Sequence, residues 1–390
     1  MEIKTVGECF YQIRNGANIK QGAVPGGYPI TRIETTANDK FNRDRMGYAG
    51  IADLTKYQSY VLEDGDLLMS HINSVQYLGR TVLYEKQEGE AVIHGMNLLS
   101  LKANKEIIIP AYARYFFYSP FFREQLSRIT KKSVNQASFT VADLKKLKML
   151  VPTLAEQTSI VDILNKVNKL IEKRNDELSS LDELIKARFV EMFGDPMINN
   201  KGYPLKRYGD LFELNAGGTP SKSRPEYWEN GTISWIGSNM CQNAYIYEND
   251  GNYITEEGFR HSSARMFPID TVLVALVGAT IGKTALLKFE TTTNQNVLGI
   301  RQIRESGYTP EFVYYYTQGL YDKFLAIGDG GFAMASKSFI SNLQIPVVDM
   351  SNQMEFTSFA NQVDKSKAAV QKALDEAQVL FDSLMQEYFG

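Results

Sequence analysis

A glycine-rich stretch in the second half of the chain has the composition of a phosphate-binding loop. It runs from Val277 to Thr284 as VGATIGKT. In a P-loop the first glycine stands five residues before the second, so that backbone N–H groups can surround the phosphates. Here Val277 occupies that position, and Gly278 comes one residue too late. The pattern therefore argues against a site of nucleotide hydrolysis. It favours a hairpin turn that presents the side chain of Lys283.

The sequence has none of the other patterns that would indicate catalysis. The tetrapeptide Asn/Asp-Pro-Pro-Tyr/Phe, which holds an exocyclic amine for methyl transfer, does not occur, and neither does a Gly-rich loop for S-adenosylmethionine. His71, His94 and His261 have no Cys or carboxylate at ligand spacing, which favours packing or surface roles over a zinc site. We therefore expect a non-catalytic protein without a metal or other cofactor.

What remains is a set of polar side chains suited to contact with nucleic acid. Lys, Arg and Ser contact phosphates, whereas Arg recognises guanine and Asn or Gln recognises adenine in the major groove. The candidates in the first half are Lys20, Asn38, Arg43, Arg45, Arg80, Lys131, Lys132, Asn135 and Gln136. Those in the second half are Thr219, Ser221, Lys222, Arg224, Asn239, Gln242, Asn243, Lys283 and Lys337. For each of them the alternative is a solvated loop position without a ligand.

The two halves of the chain repeat the same order of features. Gly79-Arg80-Thr81 corresponds to Gly282-Lys283-Thr284, and Pro110 and Pro310 each begin an aromatic-rich segment. Short strands, Gly-rich turns and two or three helices per copy predict an α+β domain that occurs twice.

The repeat also ranks the candidate contacts. Two domains that recognise different sequences should differ where they touch the bases. The polar residues that differ between the copies are therefore favoured for base contact: Asn38 and Arg43 in one, and Asn239, Gln242 and Asn243 in the other.

Each copy is followed by a long helix with an apolar seven-residue repeat, which is typical of a coiled coil. In residues 155–194 the repeat is Leu164, Ile171, Leu178, Ile185 and Met192. The tail aligns with this helix at an offset of 196 residues, which places Gln353 on Gln157. Its own repeat is Phe356, Val363, Val370, Ala377 and Leu384. The pattern predicts an intramolecular, antiparallel coiled coil; the alternative is two unrelated surface helices.

Size and charge limit the class of protein further. A chain of 390 residues accommodates two or three domains. Its net charge of -3 argues against a uniformly basic nucleic-acid binder, so positive charge must be local or supplied by a partner. Two separated cysteines, Cys9 and Cys241, and no recognisable signal peptide or membrane span favour a cytoplasmic protein.

Three stretches resemble the specificity subunit of Type I restriction-modification systems. They are LKMLVPTLAEQTSIVDILNKVNKLIEK with the downstream ELIKARFVEMFGDP, the segment YPLKRYGDLFELNAGGTPSKSRPEYWENGTISWI, and SFISNLQIPVVDMSNQ. The resemblance covers nearly the whole chain. It implies a first target-recognition domain at 1–150, a central helical spacer at 151–196, a second target-recognition domain at 197–345 and a C-terminal helical spacer at 346–390.

In such subunits each domain recognises one half of a split DNA sequence, while the helices set the gap and dock methyltransferase subunits. The resemblance therefore implies double-stranded DNA, DNA adenine methyltransferase subunits and ATP-dependent restriction subunits as partners. Catalysis would belong to those partners. Two alternatives remain: a structural coiled-coil adaptor whose flanking domains bind proteins, and an ATPase that uses the loop at Gly278.

Overall fold

The structure is a computed structural model that describes residues 2–22, 25–134, 136–302, 307–327 and 334–390. Of the residues proposed above to contact nucleic acid, Asn135 lies outside these ranges. The chain forms two compact units. The first contains Met1–Asn175 and Lys372–Gly390, and the second contains Asp176–Gln371.

The first unit is built from short strands and four short helices, followed by the start of a long one. Its strands are β1 (Glu2–Thr5), β2 (Phe10–Asn15), β3 (Gln21–Gly22), β4 (Tyr28–Ile30), β5 (Gly47–Ala49), β6 (Leu67–Ser70), β7 (Ile72–Asn73), β8 (Thr81–Leu83), β9 (Leu98–Ala103), β10 (Lys131–Lys132), β11 (Ala137–Ser138) and β12 (Lys148–Val151). Its helices are α1 (Val6–Cys9), α2 (Pro110–Phe116), α3 (Pro120–Ile129), α4 (Val141–Leu144) and the beginning of α5 (Leu154–Phe193).

The second unit has the same kinds of element. Its strands are β13 (Leu205–Arg207), β14 (Phe212–Ala216), β15 (Ile233–Ile236), β16 (Ala244–Ile246), β17 (Tyr253–Ile254), β18 (Met266–Phe267), β19 (Val272–Ala275), β20 (Thr284–Leu287), β21 (Thr291–Thr293), β22 (Val297–Gln302) and β23 (Gln344–Pro346). Its helices are α6 (Tyr208–Leu211), α7 (Glu256–Arg260), α8 (Pro310–Gly319), α9 (Tyr321–Leu325), α10 (Lys337–Asn342) and most of α11 (Met350–Phe389).

The two domains share one sheet topology, which confirms the predicted duplication. The main sheet of the first has the order β2-β9-β6-β8, and that of the second has the order β14-β22-β19-β20 with β16 added at the edge. All the shared pairs are antiparallel. In each domain a further strand pair, β1 with β12 or β13 with β23, brings the start of the domain next to its end.

The central strand of each sheet is covered on both faces. Val272 and Val274 of β19 point into the core beneath α8, whereas Leu273 and Ala275 point into a second apolar cluster. Because side chains alternate along a strand, such a strand is apolar at every position. All four residues of β6 are also buried, with Leu67 and Met69 in one apolar cluster and Leu68 in another, although its last residue is Ser70.

The long helices pair in opposite directions, as the seven-residue repeat predicted. In the first unit, Leu164 near the start of α5 shares a core with Phe389 at the end of α11. In the second unit, Phe189 near the end of α5 shares a core with Phe356 near the start of α11. The early part of each helix therefore meets the late part of the other, and the fold is an α+β protein with an intramolecular antiparallel coiled coil.

A second seven-residue series runs beside the main repeat, and it is apolar at Ile160, Val167 and Leu181 of α5 and at Ala360, Leu374 and Phe381 of α11. Arg188 and Lys367 interrupt this series, and both form ion pairs in the second unit. Arg188 of α5 contacts Glu355 of α11 at 2.7 Å, and Lys367 of α11 contacts Asp182 of α5 at 2.6 Å. The residue numbers in the two ion pairs fall along α5, from 188 to 182, as they rise along α11, from 355 to 367, which agrees with antiparallel helices. Each of the two charged residues therefore has a partner of opposite charge on the other helix.

Local sequence sets the bounds of α5. Thr153 and Glu156 form a capping box, in which each side chain accepts a hydrogen bond from the backbone N–H of the other. Gly194 follows the last helical residue with φ +82, a backbone conformation that glycine adopts without strain. The 40 residues between these signals form a helix about 60 Å long. No helix in the described part of the chain is long and apolar enough to cross a lipid bilayer.

Candidate nucleic-acid interface

Asn38 is an exposed amide on a turn that a polar network holds in place. Asn38 and Asp39 both have a left-handed backbone, with φ 56 and 57. The Asp39 carboxylate accepts a hydrogen bond from the Tyr118 hydroxyl at 2.6 Å and pairs with Arg80 at 3.0 Å. Arg114 donates to the Asp39 carbonyl oxygen at 2.9 Å. The turn thus presents Asn38 in a fixed conformation, and Arg80 serves to fix it.

Arg43 is engaged within its own domain. Its guanidinium donates to both oxygens of Glu90, at 2.7 and 3.1 Å, and to the carbonyl oxygen of Glu85 at 2.7 Å. These hydrogen bonds, with others from the Gln87 backbone and the Tyr84 hydroxyl, lower the pKa of Glu90 to about 2. A guanidinium that grips a carboxylate at two points is fixed in position. Arg43 therefore orders its loop, which the sequence pattern did not indicate.

Four other cations of the first domain extend into solvent. They are Lys20, Arg45, Lys131 and Lys132. Within the described residues none of them forms an ion pair. Lys131 and Lys132 form β10, one arm of a hairpin whose other arm is β11. The N–H of Ser133 donates to the carbonyl oxygen of Gln136 at 2.7 Å across its tip, where Gln136 is exposed.

In the second domain, the structure brings together three residues that the sequence placed far apart. Lys283 donates to the Gln242 carboxamide oxygen at 2.7 Å. The neighbouring Asn243 has φ 57, and its side-chain oxygen accepts from the backbone N–H of Thr284 at 2.9 Å. Asn243 therefore holds the turn against β20, whereas Gln242 and Lys283 present polar atoms at its surface.

The loop at 217–224 is fixed by the only two tryptophans of the chain. Trp235 donates from its indole nitrogen to the Gly218 carbonyl oxygen at 3.0 Å, and Trp228 donates to that of Ser221 at 3.2 Å. The two rings meet edge to face with centroids 5.2 Å apart. This support leaves Lys222 exposed. The position of both tryptophans close to this loop was a signal in the sequence that could have indicated an ordered loop.

The remaining candidates of the second domain lie at separate places. Thr219 donates to the Gln295 carboxamide, and Arg224 donates to the Tyr227 hydroxyl at 2.9 Å. Asn239 is exposed in a short turn, and Lys337 is exposed at the first residue of α10.

In each unit a cleft lies between the strand-rich domain and the long helices. In the first unit the cleft has a volume of about 710 Å³ and is lined by Asn38 and Arg43 on one side and by Asn168 and Asn175 of α5 on the other. Amide side chains from two elements thus face one open space. Asn168 and Asn175 were not among the residues that the sequence pattern indicated.

The cleft of the second unit has a volume of about 590 Å³ and a different lining. Gln242 and Asn243 lie on its domain side, and Asp182 and Lys367 lie on its helix side. Burial raises the pKa of Asp364, which also lines it. The two clefts therefore share their place in the fold but differ in chemistry.

The glycine-rich stretch at 277–284 connects two antiparallel strands, β19 and β20. A phosphate-binding loop requires a helix after the second glycine, to which its N–H groups belong. The hairpin expected from the sequence is therefore confirmed. Gly282, with φ +76, and Gly79, with φ +74, occupy the same turn in the two domains, and a Cβ at either would collide with a neighbouring side chain.

The histidines and cysteines have packing or surface positions. His71 and His94 are buried, and burial lowers the pKa of His94 to about 4. Burial also raises the pKa of the Cys9 thiol to about 11 and that of Cys241 to about 12, which opposes thiolate chemistry. Within the described residues, no group of His, Cys, Asp and Glu side chains could hold a metal ion.

The two domains have one topology, and each is attached to part of an antiparallel helix pair. Because the two copies present different polar groups, they define a duplicated recognition protein. Residues 1–180 and 200–377 match the family described as Type I restriction modification DNA specificity domain. The chain belongs to this family. Its function is recognition of a DNA sequence, and it is the non-catalytic specificity component of such a system.

Relatives and solved structures agree with this assignment. The specificity subunit attributed to the type I restriction enzyme MjaX of Methanocaldococcus jannaschii is 27% identical over 398 residues, covering 95% of this chain and 90% of the relative. The EcoR124I/EcoR124II specificity subunit of Escherichia coli is 25% identical over 230 residues, covering 57% and 55%. The crystal structure of a Type I S subunit from M. genitalium has a TM-score of 0.58 at 14% identity, covering 100% of this chain and 96% of that one. It shows the same fold.

Proposed function

We propose that this chain recognises a bipartite site in double-stranded DNA and directs DNA adenine methyltransferase subunits to it. ATP-dependent restriction subunits are the further partners where the system also cleaves. In this proposal residues 1–150 and 197–345 recognise the two half-sites, and residues 151–196 and 346–390 form the spacer between them. Action on cellular DNA places the protein in the cytoplasm.

The observation that supports two half-sites is the duplication of the sheet with unlike surroundings. The strand order is the same in both domains. The helix sides of the equivalent clefts carry different polar groups, with Asn168, Glu172 and Asn175 in one and Asp182, Asp364 and Lys367 among those in the other. Domains with one scaffold and different surfaces suit two different sequences.

The candidate DNA-contacting residues divide by the partners that they have in the protein. Residues with exposed side chains are proposed to contact DNA directly: Lys20, Asn38, Arg45, Lys131, Lys132, Gln136, Ser221, Lys222, Asn239, Gln242 and Lys337. Two of them also have partners in the protein, since Ser221 shares a hydrogen bond with Ser223 and Gln242 bonds to Lys283 and to the Asn239 carbonyl oxygen. Residues held by other side chains or backbone groups are proposed to shape the surface: Arg43, Arg80, Thr219, Arg224, Asn243 and Lys283. Asn135 remains a candidate from the sequence alone.

Charge supports a role for partners in binding. The net charge of the chain is -3, so phosphate contact must come from local lysines and from the other subunits. A specificity subunit that binds DNA tightly only in the assembled complex meets this condition.

Mapping methylated adenines in random-sequence DNA tests the proposal. DNA exposed to the complex of this chain with its methyltransferase subunits should be methylated within two short sequences at one fixed gap. An adaptor that binds only proteins would give no such sequence enrichment. Methylation without a bipartite sequence would contradict the proposal.

A further inference from the structure

Two buried glutamines at equivalent positions make matching contacts. Gln157 and Gln353 both have 0% exposure. The carboxamide oxygen of Gln157 accepts a hydrogen bond from the N–H of Ile109 at 2.8 Å. Its nitrogen donates to the carbonyl oxygens of Ile107 and Pro152, each at 2.9 Å. One side chain thus joins the first turn of α5 to the segment before α2 and to the chain that follows β12.

Gln353 repeats these contacts in the second unit. Its oxygen accepts from the N–H of Thr309 at 2.9 Å, and its nitrogen donates to the carbonyl oxygens of Gly307 and Val348, each at 3.0 Å. All the partners are backbone groups, so the same geometry forms although the partner side chains differ between the copies. The carboxamide is the part that both copies retain.

Glutamine is the side chain that satisfies this arrangement. The site requires one acceptor and two donors at the end of a two-methylene arm. An ionised glutamate offers no donor, methionine offers neither donor nor strong acceptor, and asparagine is one methylene shorter. Because the site is buried, a replacement leaves backbone groups without partners.

The contacted backbone groups start the helices that join each domain to the coiled coil. Ile109 and Thr309 are the N-cap residues of α2 and α8. In α2 the ring of Tyr112 lies 5.3 Å from that of Phe389 on α11. In α8 the ring of Phe312 lies 4.8 Å from that of Phe193 on α5. The glutamine therefore fixes the first residue of a helix whose side face packs on the helix pair.

We propose that Gln157 and Gln353 are positioning residues that hold each recognition domain at one orientation on the coiled coil, and thereby restrict the gap between half-sites. This inference rests on the proposed function. A domain that can tilt on the coil would accept DNA whose half-site is displaced by a base pair. The two residues act through the orientation of the domains and make no contact with DNA themselves.

The test uses the assembled methyltransferase complex and a DNA library in which the gap between the half-sites varies. Gln157→Met and Gln353→Met should each raise methylation at gaps one base pair shorter or longer by about tenfold relative to the cognate gap. Gln157→Glu, which keeps the shape and the acceptor, should act in the same direction and provides a second variant where Gln157→Met fails to assemble. The two half-sequences should stay unchanged.

Matched controls separate orientation from stability. Tyr112→Phe removes the hydrogen bond from Tyr112 to the Leu150 carbonyl oxygen at 2.9 Å in α2, and Tyr208→Phe removes a contact to Thr317 at 2.9 Å. Both cost a buried hydrogen bond but leave the glutamines intact, so the gap distribution should remain narrow. An unchanged distribution in the glutamine variants, or equal broadening in the controls, would overturn the inference. Absence of any bipartite site with the wild-type chain would instead contradict the proposed function.

Discussion

The ring of Phe189 meets the ring of Phe356 edge to face, with 5.1 Å between their centroids. One residue lies near the end of α5 and the other near the start of α11, so this contact fixes the antiparallel direction of the pair in the second unit. The ring of Phe312 in α8 lies against that of Phe189 in a tilted arrangement, with centroids 5.5 Å apart. A domain helix therefore covers the helix pair at this contact.

Phe356→Ala tests this anchoring. Phe356 is completely buried, and loss of its ring should lower the free energy of unfolding by about 3–5 kcal/mol through lost burial and a cavity. Denaturant unfolding followed by circular dichroism measures the change. Val379→Ala is the control on the same helix, because Val379 is 69% exposed and should change stability by less than about 0.5 kcal/mol. Equal effects would show that the helices do not pair as described.

The sequence predicted this pairing well at the ends of the helices and less well between them. Leu164 and Ile185 are buried as the seven-residue repeat requires, whereas Ile171 and Leu178 remain partly exposed. A repeat shows which side chains face a partner helix, but two helices alone cover a side chain incompletely. The extra cover comes from α2 and α8, whose packing depends on contacts distant in sequence.

Gln242→Ala and Asn243→Ala should have different effects, although the two residues are neighbours. Gln242 presents a carboxamide beside Lys283, so its loss should change the base preference of one half-site and leave stability nearly unchanged. Asn243 supports the backbone of Thr284, so its loss should lower the free energy of unfolding by about 1–2 kcal/mol. Methylation mapping and thermal unfolding of both variants measure this. A change in both half-sites, or in neither, for Gln242→Ala would contradict its assignment.

The sequence showed which residues have side chains suited to DNA contact, but it did not show which of them are held by partners inside the protein. The comparison of the two copies favoured Arg43 over Lys131 for base contact, because a basic residue in a loop looks the same in the sequence with or without a partner. The carboxylate that binds Arg43, Glu90, lies on a different segment. Only the fold shows that one cation is paired and the other exposed.

Lys131→Ala combined with Lys132→Ala should weaken DNA binding by the complex without altering the sequence recognised. Two lost phosphate contacts should reduce the slope of log K against log salt by about 2. Binding titrations at several salt concentrations measure the slope. Lys105→Ala, at an exposed lysine outside the proposed surface, is the control and should leave the slope unchanged. An unaltered slope in the double variant would exclude the β10–β11 hairpin from the interface.

His94 should make the first unit sensitive to mild acid. Burial lowers its pKa from 6.5 to about 4, so the unfolded chain binds a proton that the folded chain excludes between these values. Stability must therefore fall as pH decreases from about 6.5 to 4, by ~3 kcal/mol from this residue. His94→Gln retains a donor for the Leu98 carbonyl oxygen, which His94 contacts at 2.8 Å. Unfolding curves across this range should show a smaller pH dependence in the variant, and identical curves would contradict the assignment.

The central claim is that the helices set the spacing of two independent recognition domains. The most direct test is to lengthen the coiled coil and to measure the distance between the methylated adenines. Four residues inserted after Asn175, the last residue of the first unit on α5, and four after Gln371, the last residue of the second unit on α11, lengthen both helices by about 6 Å. Methylation mapping with this chain should give the same two half-sequences at a gap longer by about one or two base pairs. The original gap, or altered half-sequences, would contradict the claim that the helices set the spacing of two independent recognition domains.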